Sequence, residues 1–423
     1  MTKTMLNDRI LPAIGPILFA ILCLAQPFSR GLVNVSFALL ALWGLGWLAW
    51  GRRRWPAAVA PLPRAWLRAL AIFLLVYLLA ALAGARPGRG LASLATSAYV
   101  ISALPLAWLA LSHCPRLIRA LPFLYGLGLI VTAVITYFEA GQCLACVRAK
   151  GSLGIIELGG VLGQLPPLMV GALAMAAPEG RRGIPKTLFF ILALAASYVA
   201  IRTNCGRIAM ICAPLLMAAM FAANLGKLRN LTGLLLALAS LAGIFLMATN
   251  EATMDRFRDM FAGQGQSVNN TERFNYWRQG IEVFKDHPVL GIGPAAKPNL
   301  PPGLNINRRP APYAHAHNVY LTFLAETGLV GLAAFLVLIF CPARLLWPFL
   351  RSRDPLAFLW SWSALMVLLQ LALNGVTDHV YGNKVIMFLH FSVMGTALWV
   401  AQGRRPGDGQ LSRTMGGTFS FKF

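Results

Sequence analysis

The chain of 423 residues is 58% hydrophobic and only 12% charged, and its mean hydropathy of +0.65 excludes a soluble globular domain of this length. Lys and Arg outnumber Asp and Glu by 37 to 14, but they occur in short clusters between apolar runs, as in the loops of membrane proteins. We therefore expect an all-α polytopic membrane protein that contacts membrane lipid and binds no nucleic acid.

Apolar runs of about 20 residues, the length that crosses the hydrocarbon layer, recur along the chain and predict about 12 transmembrane helices. The predicted spans are 10–29, 31–50, 66–84, 94–112, 118–138, 153–177, 187–203, 208–225, 231–249, 318–341, 355–377 and 381–401. Residues 1–249 thus hold helices 1–9, residues 250–316 a long loop, residues 317–401 helices 10–12, and residues 402–423 a tail. The first span is too long for a removed signal peptide, so we expect it in the mature protein.

Basic clusters set the expected orientation. They lie near the N-terminus, in the tail and in the connections after even-numbered spans, for example at 51–54 and 180–186. The positive-inside rule then places both termini in the cytoplasm and the loop 250–316 outside. In a Gram-negative inner membrane, that loop faces the periplasm.

The long loop has a helical part followed by an irregular part. Apolar side chains at Phe274, Trp277, Ile281 and Phe284 are spaced by 3, 4 and 3 residues, which predicts a helix. Pro and Gly then recur up to the two histidines, which predicts an open loop. A loop of this size and polarity forms no large core, so we expect short helices that pack onto the membrane domain.

Several cationic side chains fall on the predicted outer face by independent counts of the spans. They are Arg202, Arg207, Arg273, Arg278, Arg308, Arg309, His315 and His317. Because the guanidinium group matches phosphate oxygens and stays charged, this set predicts an anionic ligand such as a membrane-embedded diphosphate or an acidic glycan. The alternative is that arginines at helix ends contact lipid phosphates.

The two histidines fit a metal site less well than they fit an anion-binding site. His315 and His317 alternate in an extended segment, but no third ligand stands at ligand spacing, so we expect no metal and no cofactor. His315 alone reads equally well as a cap or an interfacial residue. Cys143 and Cys146 lie in a predicted outer connection, where a disulfide is possible.

Three segments resemble the signatures of the O-antigen ligase and polymerase superfamily. They are "HNVYLTFLAETGLVG" from His317, "ERFNYWRQGIEVFKDHPVLGIGP" from Glu272, and "NCGRIAM" from Asn204. The resemblance runs from Ile201 to Gly331. Cys-Gly-Arg stands in place of the more usual Ser-Arg pairing, and Arg207 is the preferred match to the family arginine.

The resemblance implies a glycosyltransferase that moves O-antigen polysaccharide from undecaprenyl diphosphate to a lipid A-core sugar hydroxyl, without a metal and with inversion. His317 would act as the general base, and Arg207 and Arg273 would hold the diphosphate and stabilise the leaving oxygen. The substrate-binding residues expected beside them are Arg202, Arg278, His315, Asn318, Trp277 and Asp378. Asp378 would orient His317 or pair with an arginine, and Glu326 would pack inside the bundle.

Other functions share parts of this pattern. A polymerase would use the same donor with a second lipid-linked glycan as acceptor, and a protein O-oligosaccharyltransferase would use a Ser or Thr hydroxyl. A lipid or polysaccharide transporter belongs to another class and requires broken helices or acidic residues at mid-bilayer. Glu157 and the "QLPP" sequence at 164–167 are the best candidates for that function.

Overall fold

The computed structural model describes residues 3–51, 59–141, 149–176, 183–204, 206–224, 268–296 and 316–403, and no strand occurs among them. The helices are α1 (Lys3–Ala25), α2 (Arg30–Gly46), α3 (Arg64–Ala83), α4 (Pro87–Ile101), α5 (Ala103–His113), α6 (Leu117–Glu139), α7 (Ile155–Ala176), α8 (Ile184–Asn204), α9 (Arg207–Ala223), α10 (Val268–Asp286), α11 (Val319–Leu346), α12 (Pro355–Thr377) and α13 (Lys384–Gln402). Shorter helical turns follow α2 and α11 and precede α13.

These helices confirm the predicted class. Within the described ranges, nine helical segments are long and apolar enough to cross a bilayer, and Leu11–Ala25 and Ala209–Ala223 are shorter apolar helices. The predicted span at 231–249 lies outside the described residues, so the total of about 12 stays a prediction. Only 268–296 of the long loop is described before Ala316, and it forms one 19-residue helix and a turn.

The fourth predicted span, 94–112, lies within the apolar segment Pro87–His113, which is long enough to cross a bilayer but is interrupted once. The chain forms α4 from Pro87 and α5 from Ala103, and the two helices meet at Ser102. Pro87 starts α4 because its missing N–H lies among the first-turn amides, which have no partner within the helix. Pro105 has no N–H to donate to the carbonyl of Ile101, which explains the interruption.

The predicted span at 318–341 lies within the apolar segment Val319–Arg351, but its helix, α11, breaks at Gly328 (φ 66°, ψ −169°). The rings of Phe323 and Phe335, on either side of the break, stack with centroids 4.1 Å apart. In a straight helix twelve residues rise about 18 Å. The two halves therefore fold back on each other, and residues 329–346, about 27 Å long, form the part that crosses the hydrocarbon layer.

The turn at 288–293 fills the break in α11. Gly293 N donates to Glu326 O at 2.9 Å, and Leu329 N donates to Pro288 O at 2.9 Å. These bonds satisfy backbone groups that the broken helix leaves without partners. The turn that follows α10 and the helix that follows His317 are thus one folded unit, although 25 residues separate them in the chain.

Gly328→Ala should destabilise the protein by about 1–3 kcal/mol. A Cβ there would lie 2.2 Å from Val289 O, and the positive φ disfavours any side chain. Thermal unfolding in detergent measures the loss. The matched control is Gly31→Ala in α2, where a Cβ meets nothing within 4 Å. Equal unfolding temperatures for the two variants would contradict a requirement for glycine at the break.

Side chains join the connections at each end of the bundle. At the end that carries Arg202 and His317, the contacts are Asn204 Nδ2 to Ala149 O (2.9 Å), Asn318 Nδ2 to Val376 O (2.9 Å) and the Arg30–Glu157 ion pair (3.5 Å). At the opposite end they are Trp108 Nε1 to Ala60 O (2.8 Å), Trp399 Nε1 to Ser112 Oγ (3.1 Å) and Gln402 Nε2 to Pro61 O (3.1 Å). We call the first of these the site end; that it faces the periplasm stays a prediction.

Candidate active site

His317 lies directly before α11, and Asn318 fixes its position. Asn318 is the N-cap of the helix, where its Oδ1 accepts a hydrogen bond from Leu321 N at 3.0 Å. Its Nδ2 donates to Val376 O at the end of α12. Asn318 is 7% exposed, so this residue, expected at the substrate, is fully used in joining two helices.

The backbone of His317 adopts a left-handed conformation with φ of 47°. This conformation is uncommon for a residue with a Cβ and costs about 1–2 kcal/mol. The preceding residue is held as well, since Ala316 N donates to Thr322 Oγ1 at 3.2 Å. The imidazole therefore projects from backbone that is fixed on both sides.

Asp378, the residue after α12, faces this imidazole. Its Oδ1 lies 3.6 Å from His317 Nδ1 and accepts a hydrogen bond from His379 N at 2.7 Å. The His317 side chain is 34% exposed and the Asp378 side chain 15% exposed. The pair is thus anchored on the side of the carboxylate and open on the side of the imidazole.

The electrostatics of the pair favour an ionised carboxylate. Burial raises the pKa of the Asp378 carboxyl, but the contact with His317, the His379 N–H and the nearby charges of His317 and Arg273 outweigh burial. The net pKa lies below the usual value for Asp. Asp378 is therefore negative at neutral pH and can stabilise a positive charge on the imidazole.

Helix α10 brings two further side chains to the pair. Arg273 lies close enough for its charge to act on Asp378, and the ring of Tyr276 lies 5.3 Å from the His317 ring. Residues three apart share a helix face, so the two side chains project together. Tyr276 was absent from the sequence prediction, although its spacing from Arg273 was a usable signal.

Trp277 and Arg278 take other places on the same helix. Trp277 packs against a small cluster of buried apolar residues formed by Val283, Ile292, Ala296, Ala316 and Ala325. It therefore holds α10 and the following turn against α11, a structural role that the sequence reading did not assign. Arg278 is exposed and lies about 140° around the axis from Arg273.

The turn between α8 and α9 holds the other predicted arginines. Arg202 is only 6% exposed in the last turn of α8, where the helix dipole favours a cation. Arg207 begins α9, but its side chain lies outside the described part of the structure. The same is true of the whole of His315, and also of Arg308, Arg309, Cys143 and Cys146.

No three His, Cys, Asp or Glu side chains converge within the described ranges in a way that would hold a metal ion. His317 and Asp378 supply two potential ligands and no described third. The ionisable groups described at and near the pair are an imidazole, a carboxylate and the guanidinium group of Arg273.

The fold and site define an all-α, multi-pass membrane protein that carries a His–Asp pair within electrostatic reach of an arginine at one end of its helices. Residues 188–336 match the family model described as O-antigen ligase. This match supports the resemblance to the O-antigen ligase superfamily that the motifs predicted for the segment. The match includes Arg207, Arg273 and His317 and ends before Asp378. No curated protein matches the chain.

Proposed function

We propose that the protein is an inverting glycosyltransferase of the O-antigen ligase type. It transfers a polysaccharide from undecaprenyl diphosphate to a sugar hydroxyl of lipid A-core on the periplasmic face of a Gram-negative inner membrane. The observation that carries this proposal is the His317–Asp378 pair, held on rigid backbone beside Arg273. The match of residues 188–336 to the O-antigen ligase family model supports the same chemistry.

The proposed reaction is a direct displacement. His317 accepts the proton of the acceptor hydroxyl while the hydroxyl oxygen forms a bond to the anomeric carbon of the donor. The bond from that carbon to the phosphate oxygen breaks, and undecaprenyl diphosphate leaves with the electron pair. Attack opposite the leaving group inverts the anomeric centre.

Asp378 would orient the imidazole and stabilise its protonated form. A separation of 3.6 Å is long for a hydrogen bond, but contacts of this kind commonly tighten when substrate binds. The strained φ of His317 supports the assignment, because strain of this kind concentrates at functional sites.

The arginines would bind the diphosphate. The charge of Arg273 acts on Asp378, and Arg207 begins α9 at the same end of the bundle. Guanidinium groups form paired hydrogen bonds with phosphate oxygens and stabilise charge on the leaving group. The lipid tail would remain in the bilayer, and the glycan would extend into water.

Reconstituted transfer tests the proposal. Protein in lipid nanodiscs receives polyprenyl-diphosphate-linked glycan together with one of three acceptors: lipid A-core, a second molecule of donor, or a Ser-containing peptide. A product formed on lipid A-core supports the ligase. A product only on the second donor or on the peptide would instead identify a polymerase or a protein O-oligosaccharyltransferase.

A transporter would move the donor across a sealed vesicle without forming a new glycosidic bond. The "QLPP" sequence does not break its helix, because α7 runs through Pro166 and Pro167 from Ile155 to Ala176. α11 breaks at Gly328, and this helix is the one that follows His317 of the proposed transferase site. These placements favour glycosyl transfer.

Transfer in the reconstituted assay should continue in EDTA at an unchanged rate. The reason is that arginines would supply the positive charge that a divalent metal supplies elsewhere. The control is the same reaction with added Mg²⁺ or Mn²⁺. Loss of the product in EDTA, reversed by either metal, would instead support a metal site at His315 and His317.

A further inference from the structure

A cavity of about 170 Å³ lies between α3, α4, the first half of α11 and the segment that leads into α13. Seven of its fourteen lining residues carry a hydroxyl group, namely Tyr77, Ser93, Thr96, Ser97, Thr322, Thr327 and Tyr381. Glu326 and Lys384 add one carboxylate and one ammonium group. Among the described residues that line it, none is an arginine.

This lining suits a neutral polyol better than a diphosphate. Hydroxyl groups both donate and accept hydrogen bonds, as the hydroxyl groups of a sugar do. The opposite charges of Glu326 and Lys384 leave little net charge to attract a dianion. Phe323 lies between the rings of Tyr77 and Tyr381, with centroids 6.4 and 5.1 Å away, and these rings offer an apolar surface to the C–H face of a sugar.

The size of the cavity sets the length of the ligand. Its volume corresponds to on the order of ten water molecules, which is room for one sugar ring and too little for a chain. Thr96, Gly382 and Lys384 are exposed at its rim, while Tyr77 and Thr322 are buried in its floor. A sugar can therefore enter from the site end with the rest of its chain outside.

The cavity adjoins the His317–Asp378 pair. Thr322, in its wall, accepts a hydrogen bond from Ala316 N and donates one to Asn318 O, on the two sides of His317. His379, also in its wall, donates its backbone N–H to Asp378. The residues that hold the pair thus also shape the cavity.

We propose that this cavity binds one sugar unit of the acceptor, an inference that rests on the proposed function. The reacting sugar of the donor is bonded directly to the diphosphate and must stay with the arginines. An acceptor sugar carries no such charge, and one of its hydroxyl groups must reach His317.

Blocking the rim of the cavity tests the proposal through the binding of oligosaccharide, without any need for transfer. Thr96→Trp places an indole at the exposed rim, and Ala95→Trp is the matched control, since Ala95 is exposed on the same helix and does not line the cavity. The probe is lipid-free core oligosaccharide, titrated calorimetrically against full-length protein in detergent. We expect Thr96→Trp to weaken binding at least about ten-fold and Ala95→Trp to leave it unchanged.

Equal oligosaccharide binding by the two variants would overturn the proposal, as would a wild-type protein that does not bind the probe. A loss of binding to a short-chain polyprenyl-diphosphate sugar in Thr96→Trp alone would assign the cavity to the donor instead. Because titration needs no turnover, failure of transfer in a protein that binds the oligosaccharide would count against the transferase and not against the cavity.

Glu326→Gln provides a second variant that keeps the volume of the side chain. A sugar hydroxyl bonds more strongly to a carboxylate than to an amide, so KM for the acceptor should rise about ten-fold with kcat nearly unchanged. Folding is checked by the unfolding temperature. A fall in kcat with constant KM would make Glu326 part of the proton transfer and would contradict a binding role.

Discussion

His317→Ala should lower the transfer rate by about 10²–10⁴-fold while donor binding stays close to that of the wild type. The base acts on the acceptor proton in the transition state and contributes little to the affinity for the donor. Ala keeps a Cβ at φ 47°, so the backbone strain of the wild type is retained. The measurement is product formation in nanodiscs, with donor affinity determined in parallel.

Two further variants define the role of this histidine. His317→Asn should be equally inactive, although Asn tolerates the left-handed conformation and so preserves the fold. His315→Ala should lose only part of the rate, because His315 precedes the rigid segment in a region rich in Pro. An active His317→Ala together with an inactive His315→Ala would show that the base is the other imidazole.

The pH–rate profile of Asp378→Asn distinguishes a role of Asp378 in orienting the His317 imidazole from a purely structural role. The pKa of Asp378 lies below its usual range, so the carboxylate remains ionised in the pH range in which histidines titrate. Replacing it with an amide removes the charge that stabilises the imidazolium. The acid limb of the pH–rate profile should then move to lower pH while kcat falls, whereas a purely structural defect would leave that limb in place.

The sequence predicted the transmembrane helices well because apolar length is a property of each segment by itself. It did not predict the break at Gly328, since one glycine hardly changes the hydropathy of an apolar run. The break depends on the turn at 288–293, which arrives from another part of the chain and supplies the missing hydrogen bonds. Non-local pairing of this kind leaves no periodic signal in either segment.

The candidate site also combines features that the sequence predicted with features that it did not. Arg273, His317 and Asp378 were predicted on one face of the membrane from motif and parity, and the structure places them together. Parity gives a side of the membrane, but not a direction around a helix. It therefore grouped Arg278 with Arg273, which lie on different faces of α10. The family resemblance implied that Trp277 binds substrate, which stays a prediction, and the structure shows Trp277 packed against the apolar cluster beneath α10.

Arg273→Ala should lower transfer by about 10²–10³-fold, because a guanidinium group beside the reacting pair is proposed to stabilise the diphosphate as it leaves. Arg273→Lys should recover little of this loss, since an ammonium group is a point charge and lacks the planar pair of donors. Arg207→Ala is expected to behave in the same way. Initial rates at matched protein levels in the membrane measure these effects.

Lys285→Ala is the matched control for Arg273→Ala, because Lys285 is a cation on the same helix that pairs with Glu282 at 2.8 Å and is 61% exposed. Its removal should leave transfer unchanged, since an exposed ion pair contributes little to stability or to a distant site. Donor affinity decides what Arg273 does. If binding of the diphosphate weakens as much as the rate falls, Arg273 holds the substrate equally in the ground and transition states; a rate that falls further than binding assigns it to the leaving group. Full activity in Arg273→Ala would remove α10 from the chemistry and leave His317 and Asp378 to act with arginines from the α8–α9 turn.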